Sequence, residues 1–176
     1  TRRTGWSVAN GHIDLAIIGG QLPPELENLL QITPYATDEL ALVLPSTHKL
    51  SKAKELAKED LYKLSFVSLD SQSTTRKVVD KLLKNSGLDI QRLKIEMELN
   101  SLEAIKNAVQ SGLGAAFLPV VSIERELASG TIHKPSMSDL GVNRELKLIT
   151  NPSRYTSKAS EAFKRDILPQ FSSFKN

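Results

Sequence analysis

The chain has 176 residues, a formal charge of +3, 24% charged and 40% hydrophobic residues, and no cysteine. These values exclude a disulfide scaffold, a thiolate metal site and a disordered polar chain. The densest basic stretch, residues 76–84, includes Asp80 and alternates with apolar residues, so it reads as a solvated helix face and not as a nucleic-acid arm.

No apolar run approaches the roughly 20 residues of a membrane span, and the N-terminus has no apolar signal core. The expectation is a cytoplasmic domain that makes no contact with a membrane. Residues 1–10 have helical character, with Trp6 and Ala9 on one side and Gly11 as a stop. Ile13-Asp14-Leu-Ala-Ile17-Ile18 reads as a short buried strand ending in Gly19-Gly20, where paired glycines allow a tight turn or close approach of backbone to a ligand. Residues 22–30, broken by Pro23-Pro24, form a loop or short helix. Residues 32–35 and Glu39-Leu-Ala-Leu-Val43-Leu44 are two strands, the second stopped by Pro45.

A polar helix is expected around residues 53–56 and a strand over Leu64-Ser-Phe66-Val67-Ser68-Leu69. That strand runs into Asp70-Ser-Gln-Ser73-Thr74-Thr75-Arg76. Val78, Val79, Leu82 and Leu83 then mark an amphipathic helix ended by Gly87. Residues 97–119 read as strand, helix, strand. Asn100 or Ser101 caps the helix, and Glu103 stands at capping-box spacing from Asn100. Leu102, Ile105, Ala108 and Val109 form its apolar stripe, and Gly112 supplies a left-handed stop. Gly114-Ala-Ala-Phe117-Leu118 is a strand buried on both faces, followed by a helix over 119–127. Leu146-Lys-Leu-Ile149 is another strand, and Ala159, Ala162, Phe163 and Ile167 stripe a last helix.

Strands alternating with helices predict an α/β fold with mainly parallel sheets. The loose regions 33–40 and 137–144 cut it into two lobes, 1–39 with 145–176 and 40–144. No catalytic constellation is found. His12, His48 and His133 lack neighbours at metal-ligand spacing, and His48 reads as solvated surface. Asp14 and Asp70 lie near strand ends and read as caps and turns. Neither a metal nor a cofactor is expected, and the chain does not read as an enzyme.

The strongest chemical signal is the cluster Ser71, Ser73, Thr74, Thr75 and Arg76 between a buried strand and a helix start. Hydroxyls, free N–H groups and one guanidinium suit a carboxylate or phosphate. Asn100 and Ser101 begin the neighbouring helix, with Phe117 and Leu118 beneath them at a strand end. Gly19 and Gly20 complete the candidate set.

Gly11-His-Ile-Asp14-Leu-Ala-Ile-Ile-Gly19-Gly20, Leu40-Ala-Leu-Val-Leu-Pro45-Ser-Thr-His48-Lys-Leu50 and Val109-Gln-Ser-Gly112-Leu-Gly114-Ala-Ala-Phe-Leu-Pro119 resemble segments of the effector-binding domain of LysR-type transcriptional regulators. Lys49 stands where the family's loop has proline. Ser68 to Arg76, Glu98 to Ala108 and Ile149 to Tyr155 resemble the cyanobacterial and plastid branch, which controls carbon-fixation and inorganic-carbon uptake genes. The bicarbonate-transporter regulator is the first expectation and the RuBisCO-operon regulator the second.

The resemblance implies a two-lobed fold like type II periplasmic binding proteins, with the first lobe lacking its opening strand, helix and strand. It also implies a small anionic effector in the cleft: ribulose 1,5-bisphosphate, 2-phosphoglycolate or 2-oxoglutarate. A homodimer or tetramer follows, with DNA bound only through a helix-turn-helix absent from this chain. In the expected dimer, a second-lobe helix meets a first-lobe helix of the partner, the helices over 78–83 and 102–109 offering surplus apolar stripe. Two other classes share the architecture. A transporter's solute-binding protein would carry a secretory signal, and an enzyme of this fold would project a catalytic residue into the cleft.

Overall fold

Residues 40–44, apolar and buried at every position, decide how the larger part of the molecule is layered. The computed structural model describes residues 1–137, 140 and 142–171. Its elements in order are α1 Arg2–Ala9, β1 Leu15–Ile18, α2 Pro24–Glu27, β2 Gln31–Pro45, β3 Ser65–Leu69, α3 Thr74–Asn85 and β4 Lys94–Leu99. There follow α4 Leu102–Gln110, β5 Ala116–Pro119, α5 Glu124–Ala128, β6 Ile132–His133, β7 Val142–Thr150 and α6 Lys158–Asp166. The chain divides into two compact units, residues 1–38 with 144–176, and residues 39–143.

In the larger unit, Leu40, Leu42 and Leu44 of β2 join Phe66, Val79 and Leu83 in one core, on the α3 side. Val43 joins Val67, Ile105, Val109, Ala116 and Leu118 in the other, on the α4 side. Successive residues of a strand point to opposite faces, so one strand feeds both layers. β3 and β4 pair in parallel, as a helical crossover requires, and a bridge from Phe66 to Ala115 ties β5 to β3 in the same sense. β2 meets β5 and β6 antiparallel, and β1 meets β7 antiparallel. The sheets are therefore mixed and not mainly parallel. Only the strands joined through α3 and α4 are returned in the same direction by their connections.

The Gly112-Leu-Gly114 motif has two separate physical reasons. Gly112 has φ +80°, and the Leu113 N–H donates to the Ala108 carbonyl at 3.0 Å, which closes α4 with a left-handed cap. A Cβ at Gly114 would stand 2.7 Å from the Ser65 carbonyl oxygen, the same atom that accepts the Ala115 N–H at 2.8 Å. No side chain fits where β5 joins β3.

Several local expectations change. Residues 32–35 and 39–44 lie in one 15-residue strand. Its polar Thr37, Asp38 and Glu39 resemble a loop in sequence, but Ala36, Asp38 and Leu40 are buried while Thr37 and Glu39 are exposed, a strand period. Around residues 53–56 there is no helix; short 3-10 turns span Lys49–Lys52 and Lys58–Lys63 instead. His48 is half-buried, and its Nδ1 accepts the Leu50 N–H at 3.2 Å, so it caps the first turn.

The helix expected over 119–127 divides into a 3-10 turn, Val120–Ser122, and α5. Ser122 Oγ donates to the Pro119 carbonyl at 2.7 Å at the break. Ser101 alone caps α4, and Glu103 pairs with Lys106 at 2.9 Å instead of closing a capping box. The stripes of α3 and α4 are largely spent inside the unit, since Val79, Leu83, Ile105, Ala108 and Val109 are all buried. Val78, Leu82 and Leu102 are half-buried, which leaves each helix a narrow apolar strip at its surface. The α6 stripe faces outward, with Phe163 and Ile167 exposed. The second loose region, 137–144, includes residues 138, 139 and 141, which lie outside the described residues.

Two carboxylates add to the apolar core of the smaller unit, which Val8, Ile18, Leu26 and Ile149 help to form. Asp14 Oδ2 accepts Ser157 Oγ and Ser160 Oγ at 2.6 Å each and the Ser157 N–H at 3.1 Å, fastening the start of β1 to the first turn of α6. Asp38, 5% exposed, accepts Arg144 Nη2 at 2.6 Å and Nε at 2.9 Å, while its Oδ1 is buried without a hydrogen-bond partner. Removing one member of a buried pair leaves an uncompensated charge, whereas replacing both with apolar groups is often neutral. Arg144→Met should therefore cost about 3–5 kcal/mol in urea unfolding, and adding Asp38→Leu should recover most of it. A single-variant loss below about 1 kcal/mol would contradict that.

The Ser157 hydroxyl, then the Ser160 hydroxyl and the Ser157 N–H, hold the Asp14 carboxyl below its ordinary value of 3.8. A lowered folded value means its stabilisation is complete above the unfolded value and is lost as pH falls through the folded one. Unfolding midpoints should drop below about pH 4 more steeply in the wild type than in Asp14→Asn. Parallel acid limbs for the two proteins would contradict the assignment.

Candidate functional site

Strands β3 and β4 end side by side, and the Asp70 N–H donates to the Leu99 carbonyl at 3.2 Å just beyond them. α3 and α4 begin a few residues later, so two helix starts leave the same edge of the sheet. Ser73 caps α3 by accepting the Arg76 N–H at 3.5 Å, and Ser101 caps α4 by accepting the Ala104 N–H at 3.4 Å. Asp70 Oδ1 accepts the Gln72 N–H at 2.9 Å, the turn expected of it. Free N–H groups and the positive ends of helix dipoles favour an anion at such an edge.

Arg76 is the chemical centre. Its side chain is 15% exposed, so it is neither the surface cation of a helix nor free in solvent. Nε donates to Asp80 Oδ1 at 2.8 Å, one helical turn on. Nη1 donates to Ser68 Oγ at 2.8 Å and the Leu69 carbonyl at 3.2 Å, and meets Glu98 Oε1 at 3.4 Å. No hydrogen bond to Nη2 occurs among the described residues. The guanidinium is thus oriented by four acceptors and keeps one nitrogen unspent.

Beneath it lies an apolar cavity lined by Phe66, Ser68, Thr75, Val79 and Phe117. Phe66 and Phe117 stack with ring centroids 6.1 Å apart and planes within 6°. The water-accessible volume is about 30 Å³, room for one or two waters and no metabolite. Arg76 and Asp80 line it as well.

Ser73, Thr74, Thr75 and Arg76 therefore stand together at the start of α3, and Asn100 and Ser101 lie exposed at the start of α4. Phe117 lines the cavity below Arg76. Leu118 departs from expectation: it is 0% exposed and points into the α4-side core, because neighbouring strand residues alternate. Its part is packing. Gly19 and Gly20 belong to the smaller unit. A Cβ at Gly19 would lie 3.1 Å from Leu146 Cδ2 and 3.3 Å from Arg144 Nη1, so close packing against those side chains explains that glycine.

Three residues of the site escaped the sequence reading: Ser68, Asp80 and Glu98. Asp80 was legible as an i, i+4 partner of Arg76. Ser68 and Glu98 face each other only through the parallel register of β3 and β4.

Among the described residues no group of His, Asp or Glu side chains is placed to hold a metal, and no helix is long and apolar enough to cross a membrane. The family profile described as the LysR substrate binding domain matches residues 3–172, so this chain belongs to that family. Two relatives narrow the branch. A probable RuBisCO transcriptional regulator of Synechocystis sp. PCC 6803 is 60% identical over 172 residues, 98% of this chain and 50% of that protein. One of Porphyra purpurea is 57% identical over 171 residues, 97% of this chain and 54% of that protein.

The chain thus spans about half the length of the curated relatives it matches. Of the two regulators expected from resemblance, these relatives carry the name of the second. A solved structure, the Synechocystis PCC6803 CcmR regulatory domain in complex with 2-PG, shares the fold with TM-score 0.80 at 21% identity. The overlap covers 98% of this chain and 80% of that one. The effector-binding domain of QuiR in complex with shikimate does so with TM-score 0.78 at 23% identity, over 97% and 78%.

Arg76→Ala removes the cation between Asp80 and Glu98 while leaving the apolar cores intact. Charge-assisted bonds of this kind are worth about 1.5–3 kcal/mol, reduced here by partial exposure, so a loss of about 1–2 kcal/mol is expected in urea unfolding. Collapse of the fold, or no change at all, would show that the network has a different weight.

Proposed function

We propose that this chain is the effector-sensing domain of a LysR-type transcriptional regulator of RuBisCO genes, and that its effector is a small anionic metabolite. The family and the relatives support the regulatory role. The anion is supported by one observation: a mostly buried guanidinium, fixed at the edge where two helices begin, has a nitrogen without an acceptor. Ribulose 1,5-bisphosphate, 2-phosphoglycolate and 2-oxoglutarate are the candidates. CcmR, of the same fold, is named with 2-PG, which agrees with an anion of that size.

In this reading Arg76 meets the anionic end. Ser73, Thr74 and Thr75 add hydroxyls, Asn100 and Ser101 add polar contacts, and Phe117 underlies the ligand. No residue does catalysis. An effector moves the regulator only by its differential affinity for two arrangements of the protein. DNA would be bound by a helix-turn-helix outside this chain, in a cytoplasmic homodimer or tetramer.

A charge-assisted, bidentate bond of about 1.5–3 kcal/mol corresponds to about ten- to a hundredfold in affinity. Calorimetric titration of the protein with each of the three anions should show that loss for Arg76→Ala. Arg76→Lys should recover part of it, since lysine has no planar fork. Equal dissociation constants for wild type and Arg76→Ala would end the proposal.

A further inference from the structure

The acceptors around Arg76 are not equivalent. Asp80 holds Nε from the same helix, at 2.8 Å and 25% exposed. Ser68 and the Leu69 carbonyl hold Nη1 from the strand next to it. Glu98 is different in three respects. It hangs from β4, it makes the longest of the contacts at 3.4 Å, and its side chain is 46% exposed.

An anion grips a guanidinium through two adjacent nitrogens, and Asp80 already occupies Nε. The nitrogens left for a ligand are therefore Nη1 and the unspent Nη2, and Glu98 is the carboxylate in contact with Nη1. The register puts it there, opposite Ser68 on the neighbouring strand. With one cation between two carboxylates, the cluster carries a formal charge of −1. A ligand arriving there meets net repulsion until Glu98 leaves.

We infer that Glu98 is an internal counter-anion of the Arg76 site, which the effector's anionic group displaces, and that it thereby holds down the affinity for any anion that takes the fork. This rests on the effector site proposed above. The displaced carboxylate is long, exposed and anchored only at its backbone, so it can turn into water without disturbing β4. The exchange favours a group that satisfies the fork better than a carboxylate does. A phosphate dianion brings more charge and a third oxygen for the hydroxyls of Ser73 and Thr75. A carboxylate ligand merely replaces one carboxylate by another. Displacing Glu98 costs the same for either ligand, so it sets a common threshold, and the hydroxyls of Ser73 and Thr75 supply any preference for phosphate.

The test is a calorimetric titration of the wild type, Glu98→Gln and Arg76→Ala with 2-phosphoglycolate and, separately, 2-oxoglutarate. Glu98→Gln keeps size and hydrogen bonding and removes the charge. Expected is tighter binding of both ligands by Glu98→Gln, about three- to tenfold for each. Arg76→Ala should lose both. If Arg76→Ala weakens binding while Glu98→Gln leaves it equal or weaker, the counter-anion role is overturned and the site stands. If Arg76→Ala changes nothing, or if neither wild type nor Glu98→Gln binds either anion, the site and this inference fall together.

Discussion

The register of β3 against β4 is the constraint on which the site depends. With Ser68 opposite Glu98 and Leu69 opposite Leu99, the two strands end level. Both following helices then start at one edge, and a hydroxyl and a carboxylate from different strands converge on Arg76. A slip of one residue would turn every side chain of β4 to the other face and leave a mostly buried guanidinium with Asp80 as its ionic partner. Burying that cation is tolerable only because four acceptors surround it. The aromatic stack follows from the same alternation: Phe66 and Phe117 share one face of the sheet, while Val67 and Leu118 feed the other.

The family segment 109–119 has a mechanical explanation in the same part of the molecule. Gly112 ends α4 in a conformation other residues strain to adopt, and Gly114 lets β5 approach Ser65 closely enough to hydrogen bond. Glu126 pairs with Lys106 at 2.9 Å, and both side chains are 14% exposed. That pair ties α5 to α4, while the Glu126 carbonyl accepts the Thr131 N–H beyond the helix. These residues hold the layers.

Much of this was legible in the sequence, and the misses have physical causes. Helix ends announced themselves through Ser73, Ser101, Gly87 and Gly112, because caps are local. The 15-residue β2 was hidden by Thr37, Asp38 and Glu39. A charged residue can take a core-facing strand position only when a partner far along the chain, here Arg144, neutralises it. Sheet direction was misread for a related reason: β2 pairs with β5 and β6, about 75–90 residues later, and alternation does not encode which way a distant partner runs. Arg76 and its hydroxyls could be picked from spacing. Glu98 could not, since its role exists only once two strands are in register.

The central claim is that a small anion binds on the Nη1–Nη2 edge of Arg76. It is tested most directly by a crystal structure of the protein with 2-phosphoglycolate bound. The account predicts a phosphate group within hydrogen-bond distance of Arg76 Nη2 and of the Ser73–Thr75 hydroxyls, with Glu98 turned away from Nη1. A phosphate seated elsewhere, with the Arg76–Glu98 contact unbroken, would contradict it.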